Sequence, residues 1–192
     1  MLSSIHPLGE RGRGNRWALT AAAFVVGSVV AGSGAGAVLG VAGGYLRLGL
    51  RTSLWIVGIV AALAVTLDSV RVTPPGPKRQ VNERWIGAYR GWVYGASFGV
   101  QLGCGVATYI VTWLVYAAAV AALASGNPTA GALIGVTFGV VRAAPLVAAR
   151  WIDRPSRLGA FHRKMATLGP QVRMLSIVIG AAASVAAIGS VV

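Results

Sequence analysis

Residues 87–116 read GAYRGWVYGASFGVQLGCGVATYIVTWLVY, and glycine recurs at every fourth position through the first half of this apolar stretch. The repeat consists of Gly87, Gly91, Gly95, Gly99 and Gly103. In water such a segment is a poor helix, because each interior glycine costs about 0.5–1 kcal/mol relative to alanine. In a bilayer the backbone has to form its own hydrogen bonds, and small residues four apart form a groove in which a second helix packs closely. The stretch therefore predicts a transmembrane helix with a helix-packing face.

Two further stretches carry the same Gly-x-x-x-Gly spacing, which predicts several mutually packed helices. They contribute Gly32, Gly36, Gly40 and Gly44, and then Gly131, Gly135 and Gly139. The chain of 192 residues is 56% hydrophobic, has a mean hydropathy of +0.72 and contains four acidic residues. This composition excludes an ordinary soluble domain. We predict an all-α integral membrane protein with one transmembrane domain, residues 17–192.

The hydropathy pattern predicts five transmembrane spans, at about residues 17–45, 54–70, 91–122, 129–149 and 171–192. A polar lead of residues 1–16 precedes them. Pro145 lies inside the fourth span and predicts a kink. The link 150–173 has apolar residues at intervals of three and four among basic ones. This spacing predicts a basic helix on the membrane surface, which Gly169 and Pro170 separate from the last span.

The net charge of +13 is concentrated in the links that these spans leave on one side. That side carries fourteen of the seventeen Lys and Arg residues, in the lead and in the links 71–90 and 150–173. The positive-inside rule then predicts a bacterial inner-membrane protein with a cytoplasmic N-terminus and an extracytoplasmic C-terminus. Anionic lipid, and not nucleic acid, is the partner that this charge predicts. Five spans are few for a monomeric pathway, so we also expect a homo-oligomer or a larger membrane complex.

Arg142 lies within the fourth predicted span, where a charge at the helix centre costs about 2.5–3.5 kcal/mol on insertion scales. Two interpretations remain open. The side chain either extends to the cytoplasmic interface or faces the bundle interior and binds an anion. For the second interpretation, Gln101 and Thr137 are the candidate neighbours that complete a substrate-binding site.

Cys104 is the only cysteine, which excludes an internal disulfide and a cysteine-based metal cluster within this chain. It is either a small buried side chain or a redox thiol that needs a second sulfur from a partner. Asp68 and Arg71 predict a local ion pair at the end of the second span. His6 and His162 have no second ligand at metal spacing, and we expect both to be solvated. The sequence predicts no metal, no cofactor and no enzyme that acts on its own.

Two segments resemble a known family. Residues 95–105, GASFGVQLGCG, and residues 131–146, GALIGVTFGVVRAAPL, resemble the second half of the cytochrome c biogenesis transmembrane family, whose members are thiol-reductant conduits. The resemblance implies a related helical bundle in which Cys104 is the second of two cysteines that pass reducing equivalents across the membrane. The family's first cysteine has no counterpart in this chain, so a conduit here implies a thiol supplied by a partner protein.

Three functions therefore remain open from the sequence. The first is a transporter-like bundle that moves a small, anionic solute past Gln101 and Arg142, as implied by the wider superfamily of small-solute exporters. The second is a thiol-disulfide conduit that uses Cys104 with a partner. The third is a non-catalytic subunit or assembly factor whose glycine grooves dock into a larger membrane complex.

Overall fold

The computed structural model describes residues 5–77, 84–105, 107–152 and 154–190 of the chain. Within these ranges the protein is helical and contains no β-strand. The helices are α1 (Pro7–Gly12), α2 (Trp17–Leu46), α3 (Leu50–Ser69), α4 (Trp85–Ala88), α5 (Gly91–Gly103), α6 (Leu114–Ala124), α7 (Pro128–Ala148) and α8 (Pro155–Gly189). A short 3-10 turn, Ala149–Trp151, follows α7.

Among the described residues, four helical segments are long and apolar enough to cross a membrane. They are Trp17–Leu46, Leu50–Ser69, Pro128–Trp151 and Thr167–Gly189. The all-α architecture of a membrane protein, predicted from the sequence, is therefore confirmed at this level. The helices between α3 and α7 differ from the prediction, as does the start of the chain.

Helix α2 is the central element of the bundle, and α5 packs along its first half in parallel orientation. A Cβ at Gly95 would collide with the carbonyl oxygen of Thr20, and a Cβ at Gly99 would collide with that of Phe24. The two backbones therefore touch, and no side chain larger than a hydrogen atom fits between them at these positions.

Helix α7 packs against α2 in antiparallel orientation, with glycine facing glycine. Gly32 and Gly135 lie against each other's carbonyl oxygen. Ser28 Oγ donates a hydrogen bond to the Gly139 carbonyl oxygen at 2.9 Å in the same seam. The closely packed glycines of this seam are Gly32, Gly36, Gly40, Gly131, Gly135 and Gly139. Because glycines of both helices fill this seam, its groove is occupied inside the chain and is not open to another protein.

The glycine face of α2 leaves the predicted four-residue series at its end. A Cβ at Gly43 would collide with the Leu123 carbonyl oxygen, whereas a Cβ at Gly44 would lie 3.1 Å from the Gly126 oxygen. With about 3.6 residues per turn, Gly43 lies about 20° around the helix axis from Gly32, while Gly44 lies about 120° away. The tight contact therefore continues through Gly43 and not through Gly44.

The third predicted span, residues 91–122, is not one helix. It consists of α5, about 20 Å long, and α6, about 16 Å long, and the described residues from Cys104 to Trp113 are not α-helical. Gly105 has a φ of +79°, a left-handed conformation that glycine adopts readily after a helix end. The expectation of one helix rests on hydropathy, which stays high through this break and does not report it.

Helix α8 runs without interruption from Pro155 to Gly189, so the predicted surface helix and the last predicted span form one element. The boundary predicted at Gly169 and Pro170 is wrong, because the fixed φ of proline is close to the helical value and the chain stays helical through it. The later part of α8 packs against α3, where Ser184 Oγ donates to the Gly58 carbonyl oxygen at 2.7 Å.

The described part of the lead is folded against the bundle, which differs from the predicted polar segment. Ile5 is fully buried in the main core cluster, and the Leu8 N–H donates to the Ile152 carbonyl oxygen at 3.2 Å. The other buried members of this cluster are Ala21, Phe24, Tyr94, Phe98, Ala143 and Leu146. Helix α1 therefore joins the start of α2 to the segment that follows α7.

His6 is buried, so the expectation that it is solvated is wrong. Its side chain is 7% exposed, and its Nδ1 accepts a hydrogen bond from the Gly9 N–H at 3.1 Å. The imidazole thus caps the first turn of α1, a role that a short polar side chain usually fills. The side chain of His162 lies outside the described part of the chain.

Candidate functional site

The break between α5 and α6 is where the residues singled out in the sequence lie closest together. Cys104 is the residue at the C-terminal end of α5, and its thiol donates to the Gln101 carbonyl oxygen at 3.3 Å. Gly105 follows, and a Cβ there would lie 3.3 Å from the ring of Phe138 on α7. The left-handed turn at Gly105 therefore lets the chain leave α5 directly beside an aromatic side chain of the neighbouring helix.

Arg142 of α7 reaches this break. Its Nη2 donates to Thr108 Oγ1 at 3.3 Å, and its guanidinium lies 5.3 Å from the centroid of the Phe138 ring. The Nη1 atom is buried, and it has no hydrogen-bond partner among the described residues. The contact with the ring face compensates part of this missing bond. Arg142 thus ties α7 to the non-helical segment, and α7 remains helical through the nearby Pro145, where the kink stays a prediction.

The two side chains predicted as neighbours of Arg142 do not bind it. Gln101 contributes its carbonyl oxygen to Cys104, and Arg142 bonds to Thr108 instead. Thr137 is exposed and donates to the Leu133 carbonyl oxygen of its own helix at 3.0 Å. The sequence did not point to Thr108, because its hydroxyl comes within reach of Arg142 only when the third predicted span is broken.

Asp68 of α3 binds the end of the break that leads into α6. One carboxylate oxygen accepts from Thr112 Oγ1 at 2.5 Å, and the other accepts from the Trp113 N–H at 3.0 Å. Trp113 is the N-cap residue of α6, so the carboxylate satisfies a free donor at a helix N-terminus and compensates its positive dipole end. The predicted ion pair with Arg71 is replaced by this contact between α3 and α6, whose partner is 45 positions away in the sequence.

An apolar cavity of ≈ 100 Å³ lies beside the break, between α2, α6 and α7. Its wall includes Gly36, Cys104, Val115, Ala119, Gly135 and Phe138. A dry cavity of about 150 Å³ in another protein holds a benzene molecule, so this one has room for a few methyl groups, and its mostly apolar wall does not suit a hydrated ion. In the described ranges, no three His, Cys, Asp or Glu side chains lie together as metal ligands would.

A second polar cluster, which the sequence reasoning missed, surrounds Glu10. This carboxylate is fully buried, and it accepts from the Tyr94 hydroxyl at 2.5 Å, from Thr20 Oγ1 at 3.1 Å and from Arg13 Nη2 at 2.5 Å. Asn15 Nδ2 donates to the Tyr94 hydroxyl at 3.3 Å. Partial burial works against the charge of Arg13, but the hydrogen bond and the charge of Glu10 outweigh it and raise the pKa of Arg13.

This cluster joins α1, α2 and α5, and it depends on a glycine. A Cβ at Gly91 would lie 2.5 Å from Thr20 Oγ1 and 3.2 Å from Glu10 Oε2. The rarity of acidic residues is the one sequence signal that pointed here, since Glu10 is one of only four in the chain. A carboxylate loses its hydrogen bonds to water when it is buried. The three donors around Glu10 replace those bonds.

No family model and no solved structure matches this chain. The chain is 31% identical over 154 residues to the methylamine utilization protein MauF of Paracoccus versutus, an alignment that covers 75% of this chain and 56% of the relative. The protein of the same name from Paracoccus denitrificans is 30% identical over 154 residues, covering 75% of this chain and 55% of the relative. The chain therefore spans about half the length of the curated relatives that it matches.

These relatives overturn the resemblance to the cytochrome c biogenesis family. The similar proteins carry the name MauF, and none is a thiol-reductant conduit by name. The segments that suggested the family owe their pattern to glycines at four-residue spacing, which serve the packing of α2 with α5 and α7. Such spacing is common to many membrane helices, so it is a weak marker of one family. The chain is similar over three quarters of its length to MauF, and its described part has no β-strand and four helices long and apolar enough to cross a membrane.

Proposed function

We propose that this chain is a membrane-embedded component of methylamine utilization that acts through protein partners and does not pass a solute through its own interior. The similarity to the methylamine utilization protein MauF supports the pathway. The long apolar helices support the location. Of the three functions left open by the sequence, the proposal keeps the non-catalytic subunit or assembly factor. It differs from that hypothesis in the surface that binds the partners.

The observation that carries the proposal is the closed seam on both sides of α2. Glycine backbones of α2, α5 and α7 touch, so within the described residues these two seams leave no path for a solute between the helices. The cavity beside Cys104 is small and apolar, and Arg142 is engaged by Thr108 and Phe138. Movement of a small anion past Gln101 and Arg142 would need a polar, open path. The packing favours a rigid scaffold over a transporter.

The closed seams also change the expected docking mode. In the sequence-based hypothesis the glycine grooves receive a partner's helices, but within the described residues these grooves are filled by the chain's own helices. A partner would therefore bind the outer faces of the bundle or its ends. Substitution of a seam glycine is expected to destabilise the protein and not to release a partner selectively.

Deletion of the gene in its own host tests the proposal. The deletion strain should lose growth with methylamine as the sole nitrogen source and should grow normally on ammonium. The wild-type gene supplied in trans should restore growth. Unchanged growth of the deletion strain on methylamine would overturn the assignment to methylamine utilization.

Uptake of radiolabelled methylamine separates a scaffold from a transporter. Deletion cells should accumulate methylamine at the wild-type initial rate, because the proposed role lies after entry. The same protein carrying Arg142→Leu should restore growth as long as it folds. A loss of initial uptake in the deletion strain that the wild-type gene restores would instead support passage of methylamine, a cation at neutral pH, through this protein.

We also propose that the protein lies in the bacterial inner membrane with its N-terminus in the cytoplasm. The excess of Lys and Arg in the lead and in the links 71–90 and 150–173 supports this orientation. Fusion of alkaline phosphatase after Val192 should give active enzyme, whereas fusion of green fluorescent protein at the same point should give no fluorescence. The reverse pair of results would place the C-terminus in the cytoplasm.

A further inference from the structure

Three helices begin at the same end of the bundle with arginine at the N-cap. The N-cap residues are Arg16 for α2, Arg90 for α5 and Arg154 for α8, and none of the three makes a side-chain cap hydrogen bond. The starts of α2 and α5 meet, because a Cβ at Gly91 would lie between Thr20 and Asn15. The start of α8 joins them through α1.

The link to α8 is a backbone hydrogen bond. The Leu8 N–H of α1 donates to the carbonyl oxygen of Ile152, two residues before the N-cap of α8. Helix α1 in turn contacts α2 and carries Glu10, which binds Tyr94 of α5. All three helix starts therefore lie around α1.

Arginine is an unusual choice at these positions. Asn, Asp, Ser and Thr are the preferred N-cap residues, since their oxygens accept from the free N–H groups of the first turn. A helix N-terminus carries a partial positive charge, which an arginine increases. The first turns of α2, α5 and α8 contain no acidic residue to compensate it. The nearby carboxylate of Glu10 is fully buried and bound to Arg13, so it does not compensate this surface either.

We define the arginine end as the exposed residues Arg11, Arg16, Arg90, Arg150 and Arg154. Exposed aromatic side chains lie among them: Tyr89 is 55% exposed, Trp92 50% and Trp151 65%. The Arg150 guanidinium lies 4.6 Å from the centroid of the Trp151 ring. Basic residues interleaved with exposed Trp and Tyr are typical of the surface where a protein meets lipid headgroups.

We propose that the arginine end binds the phosphate groups of anionic phospholipids. The positive charge needs an anionic partner, and the exposed tryptophans next to apolar, span-length helices favour a headgroup layer over a soluble acidic protein. The lipid phosphates lie against the arginine side chains and the positive helix ends, and the indole rings lie among the headgroups. This inference does not depend on the role in methylamine utilization.

Lipid titration of the full-length protein in a neutral detergent tests the proposal. Native mass spectrometry counts the phosphatidylglycerol or phosphatidylcholine molecules bound at each lipid concentration. We expect tighter binding of phosphatidylglycerol, weakening as salt rises. A basic residue near an anionic surface contributes about fivefold in affinity. The combined variant Arg11→Gln, Arg16→Gln, Arg90→Gln and Arg154→Gln should therefore bind phosphatidylglycerol at least tenfold more weakly.

A matched control uses the arginines of the opposite end. Arg47 is the C-cap residue of α2 and Arg51 lies in the first turn of α3, so Arg47→Gln with Arg51→Gln should keep the wild-type preference for phosphatidylglycerol. All variants should elute as single species and unfold at the wild-type temperature, since the substituted side chains are exposed.

Three results would overturn the proposal. One is unchanged phosphatidylglycerol binding by the four-arginine variant, and another is equal binding of phosphatidylcholine by the wild type. The third is loss of a stoichiometric acidic protein in the four-arginine variant while its lipid binding stays at the wild-type level. That third result would assign the arginine end to a protein partner.

Discussion

The hydroxyl of Tyr94 donates to both carboxylate oxygens of Glu10 at 2.5 Å, although the two residues are 84 positions apart. Glu10 is fully buried, and the contact fixes α1 to α5 across the start of α2. A buried carboxylate is stable only where donors replace the lost water. The N-terminal segment that contains Glu10 is therefore packed into the fold and contributes to its stability.

Glu10→Gln is expected to destabilise the protein by about 3 kcal/mol, because it leaves Arg13 without its counter-charge in a partly buried position. Tyr94→Phe should cost about 1–3 kcal/mol by removing one donor. Unfolding in mixed detergent micelles measures both free energies. The control is Arg11→Gln in the same helix, which is exposed and should leave stability unchanged. Equal stability of Glu10→Gln and wild type would contradict the importance of this contact.

Gly99→Ala is expected to destabilise the bundle by about 2 kcal/mol, since its Cβ would collide with the Phe24 carbonyl oxygen of α2. The matched control is Gly34→Ala in α2, where a Cβ has no heavy atom within 4 Å. That variant should be as stable as wild type or slightly more stable. Thermal unfolding of the two purified variants makes the comparison, and similar melting temperatures would contradict the close approach of α2 and α5.

Thr108→Val should cost about 1.5–3 kcal/mol of unfolding free energy, because it removes the hydrogen bond to the Arg142 guanidinium. Arg142→Leu and Thr108→Val should be non-additive, with a coupling of about 1 kcal/mol in a double-mutant cycle. Thr137→Val is the control, as this exposed hydroxyl bonds only within its own helix. Fully additive effects would mean that Arg142 and Thr108 do not interact in the folded protein.

Asp68→Ala should destabilise the protein by about 1–2 kcal/mol, because the N-terminus of α6 loses its acceptor. Hydrogen exchange at the Trp113 amide should become faster, and the effect should stay local to the start of α6. Ser69→Ala is the control, since Ser69 Oγ bonds to the Val65 carbonyl oxygen within α3. Unchanged exchange at Trp113 in Asp68→Ala would argue against the cap.

The sequence was informative where one physical constraint dominated. Gly99 and Gly135 were identified from spacing alone, since only glycine permits backbones to touch in a bilayer, and both lie against a neighbouring helix. The sequence spacing predicted a tight contact at Gly44, but the structure has it at Gly43. Predicting this would have required adding up, over several turns, the angular drift of a four-residue repeat around the helix. The spacing does not say which helices pair, so the filling of the grooves from within the chain was not foreseen.

The missed features all depend on contacts between distant segments. The break after Cys104 is apolar on both sides, and its stability comes from Asp68 and Arg142, which belong to other helices. Glu10 looks like a solvated surface residue until Tyr94 is placed beside it. In each case the tertiary partner decides, and a single sequence does not contain its identity.

The seams of α2 have a consequence for how the chain assembles. Its contact with α7 joins Ser28 to Gly139, 111 positions apart, and α3, the next helix in the chain, packs against α6 and α8 instead. When α2 leaves the ribosome, the helices that cover its glycine face have not yet been made. Lipid tails must fill that face until α5 and α7 are inserted and displace them. The centre of the finished bundle therefore forms only once α7 has been made, and any truncation before Gly139 leaves it open.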